Sequence, residues 1–277
     1  MNACARLEAH PPQRAIVLRD RLLLGMQQLA PYGLSEQWLL RDAGDRHWAL
    51  IAKARNQQGI AFHDAEGHPV YAAFCATELR LAPPRGPLLG TTFEVTSSLH
   101  QIGPNRLGSE HVFQGAEGPL GSLRMISCFL RHDGSGSNRR LLRSTLSGLG
   151  SLAPATPGLL RQHGAARTMA RHARQAPMTG PLRLHYQPVP ALDFNAVGLL
   201  YFPTFSAIAE RARPGSGALA MRDVVYLGNL DPGQEITVHD APAAPYPDPA
   251  ACLSLSAGPH RLALVRTAHH PTARGDS

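Results

Sequence analysis

The sequence predicts an α+β chain of two similar halves, each with one long helix and an antiparallel sheet. The chain has 277 residues, a length typical of two ordinary domains. The same order of elements occurs on both sides of residues 134–180. That middle segment contains no aromatic residue and is rich in Gly, Ser, Pro and Arg, so it cannot build a core of its own. We therefore predict a first domain over residues 1–133, a linker over 134–180 and a second domain over 181–277.

The clearest helix of the first half lies within residues 25–56. Ser35 is suited to cap its N-terminus, because a serine oxygen can accept a hydrogen bond from an early backbone N–H. Glu36 then stands near the positive end of the helix dipole, where a carboxylate is favoured. The apolar residues that recur near helical spacing are Leu34, Trp38, Leu39, Trp48 and Ile51.

Strand signals follow this helix. Residues 61–63 and 70–75 flank a turn and predict a hairpin. Further runs of apolar and β-branched residues predict strands over 92–102, 107–113 and 120–130.

The linker and the start of the second half contain two helix signals. Residues 159–173 favour a short helix inside the linker, and residues 182–189 then predict a strand. The triplet Asp193-Phe194-Asn195 opens a second predicted helix, in which Pro203 is tolerable only near the first turn. The apolar residues at intervals of three or four are Phe194, Val197, Tyr201, Phe205 and Ile208.

The remaining strands of the second half repeat the pattern of the first. Residues 224–227 and 235–238 predict a hairpin, and residues 252–255 and 261–267 predict a closing pair. The order of helix, strand, hairpin and final strand therefore occurs twice, which indicates internal duplication. One helix cannot bury its apolar face alone, so a curved sheet must wrap it. Used twice, this arrangement is a double hot-dog fold.

Composition narrows the function classes. The net charge is +7, almost all of it from arginine, and guanidinium groups bind phosphate well, although charge alone selects no partner. Cys4, Cys75, Cys128 and Cys252 form no Cys-x-x-Cys pair, which argues against a zinc site or a disulfide framework. Residues 1–14 have no signal-peptide character, and no apolar run is long enough to span a bilayer. We expect a soluble cytoplasmic protein, either a monomer or a homodimer, with no nucleic-acid or membrane partner.

Familiar catalytic motifs are missing from the sequence. It contains no Gly-x-Ser-x-Gly, no His-Glu-x-x-His and no phosphate-binding P-loop. Gly148–Ala153 and Gly215–Ala220 fit Gly-x-Gly-x-x-Ala but lack the strand and helix that dinucleotide binding needs. The histidines show no ligand spacing on one face of an element, so no metal is expected.

Three stretches of sequence resemble a family of biosynthetic-cluster proteins that includes the bifunctional acyltransferase/decarboxylase of leinamycin biosynthesis. They cover parts of both halves. Their shared residues are Gly25, Met26, Leu29, Pro31, Gly33 to Glu36, Trp38 to Leu40, Gly44 to Trp48, Asp64, Gly67, Pro69, Tyr71, Asp193 to Asn195 and Gly198 to Phe202.

The resemblance implies a double hot-dog enzyme without a metal or redox cofactor. It implies that a methylmalonyl or malonyl group is taken from coenzyme A, decarboxylated and passed to an acyl carrier protein in polyketide-type biosynthesis. The essential tyrosine of that family matches Tyr71 first and Tyr32 second. An aromatic filler on a strand is the ordinary alternative for Tyr71.

Backbone N–H groups at the start of a hot-dog helix can stabilise a thioester oxygen or an enolate. This makes both predicted helix starts candidate sites, although ordinary capping is the favoured interpretation of Ser35 and explains Asp193 equally well. The catalytic candidates are Tyr71, Tyr32, Ser35, Glu36 and Asn195. The substrate-binding candidates are Gly33, Leu34, Trp38, Asp193 and Tyr201, with Arg139, Arg140 and Arg143 for the phosphates of coenzyme A. Solvated linker charge is the alternative role of these arginines.

Two other functions stay open. The same fold supports thioester hydrolysis or dehydration of a 3-hydroxyacyl carrier, with Asp193 or Glu36 as the base, assisted by His47 or His100. A non-catalytic module that docks a carrier protein or an acyl chain is the third alternative.

Overall fold

The computed structural model describes residues 15–83, 85–175, 180–215, 217–242 and 251–271. The expectations for the N-terminal segment, which includes Cys4, lie outside these residues.

The described chain contains fourteen strands, four α-helices and a short 3-10 helix over Met26–Gln28. The first half holds β1 (Ile16–Leu23), β2 (Leu29–Ala30), β3 (Gly33–Leu34), α1 (Glu36–Ala54), β4 (Phe62–His63), β5 (Pro69–Leu81), β6 (Thr92–Gly103), β7 (Arg106–Gly115) and β8 (Gly118–His132). The linker holds β9 (Leu141–Arg143) and α2 (Pro157–Gln175). The second half holds β10 (Leu182–Tyr186), α3 (Pro190–Asp193), α4 (Phe202–Ala212), β11 (Leu219–Tyr226), β12 (Ile236–Asp240), β13 (Ala251–Ala257) and β14 (His260–His269).

One antiparallel sheet of 12 strands runs through both halves in the order β1-β6-β7-β8-β5-β11-β14-β13-β12-β10, with β4 beside β5 and β9 beside β8. The two halves meet where β5 pairs with β11, from Ala76 opposite Val225 to Arg80 opposite Met221. The short strands β2 and β3 form a separate pair.

α1 is the central helix of the first half. Ser35 caps it as predicted, since its Oγ accepts a hydrogen bond from the backbone N–H of Trp38 at 3.3 Å. Leu39, Ala43 and Leu50 lie on its buried face and contact the apolar side chains of the surrounding strands.

α4 is the central helix of the second half. It begins at Phe202, not at the predicted start near Asp193. Asn195 explains the difference, because its Oδ1 accepts hydrogen bonds from the N–H groups of Val197 and Leu199 and so holds a loop before the helix. Pro203 lies in the first turn of α4, where its missing N–H costs nothing.

The linker helix α2 covers the face of the sheet opposite α1. In β8, Met125 packs towards α1 and the next residue, Ile126, packs against Leu159 of α2. Further along α2, Met169 packs against Val225 and Leu264 of the second half. A linker without aromatic residues therefore still contributes to the core by lying on the shared sheet.

A buried ion-pair network joins the two halves. Arg222 of β11 lies 3.0 Å from Glu36 of α1 and 2.5 Å from Glu210 of α4. The side-chain amide of Gln37 also donates to the Pro203 carbonyl at 3.2 Å and to Ser206 Oγ at 3.0 Å. These contacts fix the N-terminal turn of α1 against α4.

The predicted hairpin of residues 224–227 and 235–238 is wrong. β11 pairs with β5 and β14, whereas β12 pairs with β13 and β10. The chain leaves the sheet after β11, because the N–H groups of Leu227 and Gly228 donate to the Leu262 carbonyl and Asn229 binds the backbone of Leu200. Strand β1 had no counterpart in the prediction.

Within the described residues, none of the helices combines the length and apolar character that crossing a membrane requires.

Candidate active site between the two halves

A cleft opens where the two halves of the sheet separate. β5 runs from Pro69, but its pairing with β11 begins only at Ala76. Over residues 71–75 the described chain places no strand beside β5 on the β11 side. A β-bulge at Cys75 marks the separation, since Phe74 lies opposite Ser127 while Ala76 lies opposite Ile126. Bulges bend a strand and re-aim side chains, which suits the edge of a site.

The cleft holds a cavity of about 990 Å³. Its walls come from α1, β5, β8, α2, the start of the linker and the segment before α4. Apolar and aromatic side chains cover much of the inner wall, among them Trp48, Phe74, Phe194 and Phe202. This size and character are those of a small-molecule site.

Asn195 presents a hydrogen-bond donor to this cavity. Its Oδ1 already accepts the N–H groups of Val197 at 3.1 Å and Leu199 at 3.0 Å. This fixes the orientation of the amide, and within the described chain its Nδ2 has no protein acceptor. Asn195 lines the cavity, so the amide can donate to an oxygen of a bound ligand.

The N-terminus of α4 also opens onto the cavity. Tyr201 is its N-cap but makes no capping hydrogen bond with its side chain, and both Tyr201 and Phe202 line the cavity. Pro203 has no N–H and the Thr204 N–H donates to the Tyr201 carbonyl, so it is mainly the helix dipole that favours negative charge at this end. Burial, and then the nearby Asp45, raise the pKa of the Tyr201 hydroxyl, which therefore stays protonated at neutral pH.

Positive charge dominates the polar lining. Asp45 is the acidic residue among the lining residues. Burial, and then the charge of Asp42, raise the pKa of its carboxyl group. His163 of α2 lines the cavity with a buried Nε2 that has no partner among the residues that the structure describes. Burial, and then Arg106 and Arg167, lower the pKa of this histidine. The lining arginines are Arg106, Arg139, Arg143, Arg167 and Arg174. Such a site suits an anionic ligand.

Five of the residues predicted from sequence meet in this cavity: Tyr71, Asn195, Tyr201, Arg139 and Arg143. They come from β5, the segment before α4 and the linker, so both halves contribute. The ring of Tyr71 packs edge-on against His132, with 5.7 Å between centroids. Arg140 instead pairs with Asp133 at 3.2 Å.

The start of α1 lies away from the cavity. Tyr32 is 57% exposed. Gly33 and Leu34 form β3, Trp38 packs edge-on against Phe93, and Glu36 binds Arg222. α1 reaches the cavity only further along, at Gly44, Asp45 and Trp48.

The predicted hydrolytic bases also have other partners. Asp193 is buried, and its carboxylate accepts hydrogen bonds from the Tyr186 hydroxyl at 2.9 Å and the Val189 N–H at 2.8 Å. His47 bonds to Ser109 and Ser127 inside the core, and His100 bonds to Ser98. None of the three belongs to the described cavity lining.

Sequence reasoning missed Asp45, Cys75, Cys128, Arg106 and Arg167 as lining residues. Cys75 and Cys128 lie on neighbouring strands, but 53 residues separate them in the chain. Only the pairing of β5 with β8 brings the two cysteines together, and no sequence motif predicts the register of that pairing.

One cluster elsewhere has ligand atoms that could hold a metal ion. The side-chain ligand atoms of Asp64, Glu66 and His68 lie within 4.8 Å of one another. The Asp64 carboxylate also accepts the backbone N–H groups of Glu66 and His68, so closing this turn explains the cluster without a metal.

No protein-family model and no curated protein matches the sequence. Solved structures do match it. An acyl-ACP thioesterase from Bacteroides thetaiotaomicron has a TM-score of 0.63 at 11% identity, over 91% of this chain and 96% of that one. A 12:0-ACP thioesterase from Umbellularia californica has a TM-score of 0.62 at 12% identity, over 93% of this chain and 98% of that one. At such identities the likeness concerns the fold. The protein therefore has the predicted α+β double hot-dog fold, with one helix in each half wrapped by a shared antiparallel sheet.

Proposed function

We propose that this protein is an enzyme that cleaves an acyl thioester of coenzyme A or of an acyl carrier protein in the cleft between its halves. The observation that carries the proposal is the cavity of about 990 Å³, which combines an apolar wall with a set of arginines. The acyl chain needs the apolar wall, and the phosphates of either carrier need cations. The similar solved structures include an acyl-ACP thioesterase and a 12:0-ACP thioesterase, which supports the same chemistry.

Asn195 and the start of α4 supply the stabilisation that the reaction needs. Attack on a thioester places negative charge on the carbonyl oxygen, and donors that are already oriented stabilise this charge. The Asn195 amide is oriented by its two backbone hydrogen bonds before any ligand arrives. If water is the attacking group, Asp45 is the carboxylate in the lining that can accept its proton.

A substrate panel tests the proposal. Purified protein is incubated with acetyl-, octanoyl-, malonyl- and methylmalonyl-coenzyme A, and with the same acyl groups on a carrier protein. Release of free thiol is measured, and the products are identified by mass spectrometry. We expect cleavage of at least one thioester. No cleavage of any of them would refute the proposed function.

An Asn195→Asp variant tests the assignment of the donor. Aspartate keeps the acceptor oxygens that hold Val197 and Leu199 but lacks the N–H that a developing oxyanion needs. We expect kcat to fall by about 100-fold or more. Thermal unfolding should stay close to that of the unmodified protein. An unchanged kcat would remove Asn195 from the mechanism.

A specific observation favours a second candidate, decarboxylating acyl transfer to a carrier protein. Tyr71 lines the cavity, whereas Asp193, Glu36, His47 and His100 are engaged elsewhere. Loss of carbon dioxide from a malonyl-type thioester leaves an enolate, which the Asn195 amide and the α4 terminus would stabilise. Tyr71 would protonate this enolate or accept the acyl group.

The same panel separates the two candidates. Transfer with decarboxylation yields carbon dioxide and an acylated carrier protein, while hydrolysis yields free acid. Under the transfer mechanism, a Tyr71→Phe variant loses carrier acylation. Full activity in this variant would exclude Tyr71 from the chemistry.

A further inference from the structure

Two free cysteines face one another in the wall of the cavity. Cys75 of β5 donates a hydrogen bond to Cys128 of β8, with 3.3 Å between the sulfur atoms. Both residues line the cavity and both are partly buried. The bulge that separates β5 from β11 falls at Cys75, so the pair lies where the sheet opens.

The strand register places arginines around Cys128. Arg106 of β7 lies directly opposite Cys128, and directly opposite residues project from the same face of a sheet. Arg143 of β9 lies opposite Leu130, the next residue of β8 on that face. Within the described chain neither arginine forms an ion pair with a carboxylate. Their charges are therefore free to act on the cavity.

These neighbours favour the thiolate of Cys128 over its thiol. The hydrogen bond from Cys75 contributes most, burial opposes it, and Arg106 and Arg143 add to it, so that the pKa of Cys128 is lowered. The pKa of the Cys75 thiol is raised, since it is the donor of the pair. A thiolate, rather than a thiol, is the nucleophilic form of cysteine.

We propose that Cys128 is a nucleophile that takes the acyl group from the incoming thioester, with Cys75 as its positioning residue. This inference rests on the proposed thioester chemistry and adds a covalent acyl-enzyme to it. A thioester exchange needs little driving force, because one carbon–sulfur bond replaces another.

The step balances without a further reactant. The Cys128 thiolate attacks the carbonyl carbon and forms a new carbon–sulfur bond. The bond to the carrier sulfur breaks, and the carrier leaves as a thiolate that takes a proton from water. A carrier thiol or a water molecule then attacks acyl-Cys128, loses its proton to solvent and restores the Cys128 thiolate.

The test uses the full chain with each coenzyme A thioester of the panel, quenched in acid during turnover. Intact-mass and peptide mass spectrometry locate any acyl label. We expect the label on Cys128, removable by neutral hydroxylamine as thioesters are. Cys128→Ser should lose the label and lower turnover by at least about 100-fold. Cys252→Ser is the matched control, since Cys252 is a buried cysteine of β13 outside the described cavity lining.

Cys75 is tested by rescue. Cys75→Ser keeps a hydrogen-bond donor beside Cys128 and should retain most of the activity. Cys75→Ala removes the donor and should lower turnover by about tenfold. Equal losses in the two variants would show that Cys75 is merely a packing residue.

The experiment distinguishes failure of the Cys128 inference from failure of the proposed function. If the unmodified protein cleaves thioesters but its label is absent or maps to another residue, the Cys128 inference is overturned and the function stands. A loss smaller than tenfold in Cys128→Ser has the same meaning. If the unmodified protein cleaves no thioester, the proposed function itself fails.

Discussion

His47 shows how single residues set the chemistry of the first half. It lies in α1, is completely buried, and bonds through its two ring nitrogens to Ser109 and Ser127, each at 2.8 Å. Ser109 bonds in turn to His111 at 2.9 Å. Burial lowers the pKa of His47 to about 3, so the ring is neutral at physiological pH.

This burial predicts a loss of stability in acid. Below pH 6.5 the unfolded chain protonates His47 while the folded chain does not, so the free energy of unfolding falls as the pH falls from 6.5 towards 3. One such histidine lowers the free energy of unfolding by up to about 1.4 kcal/mol for each pH unit of acidification. Urea unfolding between pH 7.5 and 5 measures this slope.

A His47→Gln variant isolates the contribution of this residue. We expect a lower free energy of unfolding at pH 7.5, because glutamine cannot reproduce both hydrogen bonds to Ser109 and Ser127. We also expect this free energy to depend less steeply on pH. The unmodified protein, measured in parallel, gives the reference slope. An unchanged slope in His47→Gln would contradict the assignment.

Residue-level prediction succeeded where one residue dictates local geometry. Ser35 could be assigned as a cap because it directly precedes a helical apolar pattern, where a serine oxygen can accept an early backbone N–H. Pro203 already indicated that the second helix starts close to it, although the predicted start lay further upstream. The pair Cys75 and Cys128 could not be foreseen, since it depends on strand register.

At the scale of elements, α1 and α4 are held together by charge as well as packing. Phe202 of α4 approaches α1 so closely that a Cβ on Gly44 would lie 2.9 Å from its ring. The side chain of Arg222 is 3% exposed and contacts Glu36 and Glu210 from the two helices. Removing one member of such a network leaves buried charge without a partner.

We therefore predict that Arg222→Leu lowers the free energy of unfolding by about 3 kcal/mol, because the largely buried Glu36 then lacks its cation, whereas Glu210 is 40% exposed and still accepts the Gly215 N–H. Arg21→Ala is the control. Its pair with Glu94 is exposed, at 70% and 56%, and its loss should cost less than about 1 kcal/mol. Chemical denaturation measures both variants. Equal costs would mean that the network does not stabilise the junction.

The order of elements was largely predictable, but their pairing was not. Apolar residues at helical spacing located α1, and strand-type apolar patterns located the strands β4 to β8 of the first half and the closing pair β13 and β14. These patterns could not show that β11 pairs with β5 across the halves, because alternation predicts a strand and not its neighbour. The cavity lies at that junction, so its walls were beyond sequence reasoning.

At the scale of the whole molecule, the meeting of the two halves creates the site. Each half closes around its own helix. Strands β5 and β11 join the halves from Ala76 onwards, and their separation before Ala76 leaves the cavity. The linker helix α2 then lies across both halves and brings Arg167 and Arg174 to the cavity. The linker that looked like a passive connection therefore supplies much of the positive charge.

This charge predicts that binding of coenzyme A thioesters weakens as salt rises. Arg167 lines the cavity, whereas Arg171, one helical turn further along α2, does not. Loss of one charge-assisted contact to phosphate should raise KM by about tenfold in Arg167→Gln at low ionic strength. KM is then measured from about 50 to about 500 mM salt. The difference in KM between Arg167→Gln and the unmodified protein should shrink, because salt also screens the Arg167 contact in the unmodified protein. Arg171→Gln should follow the unmodified protein throughout. If the two variants behave alike, the arginines of α2 act only through net charge and do not contact the substrate.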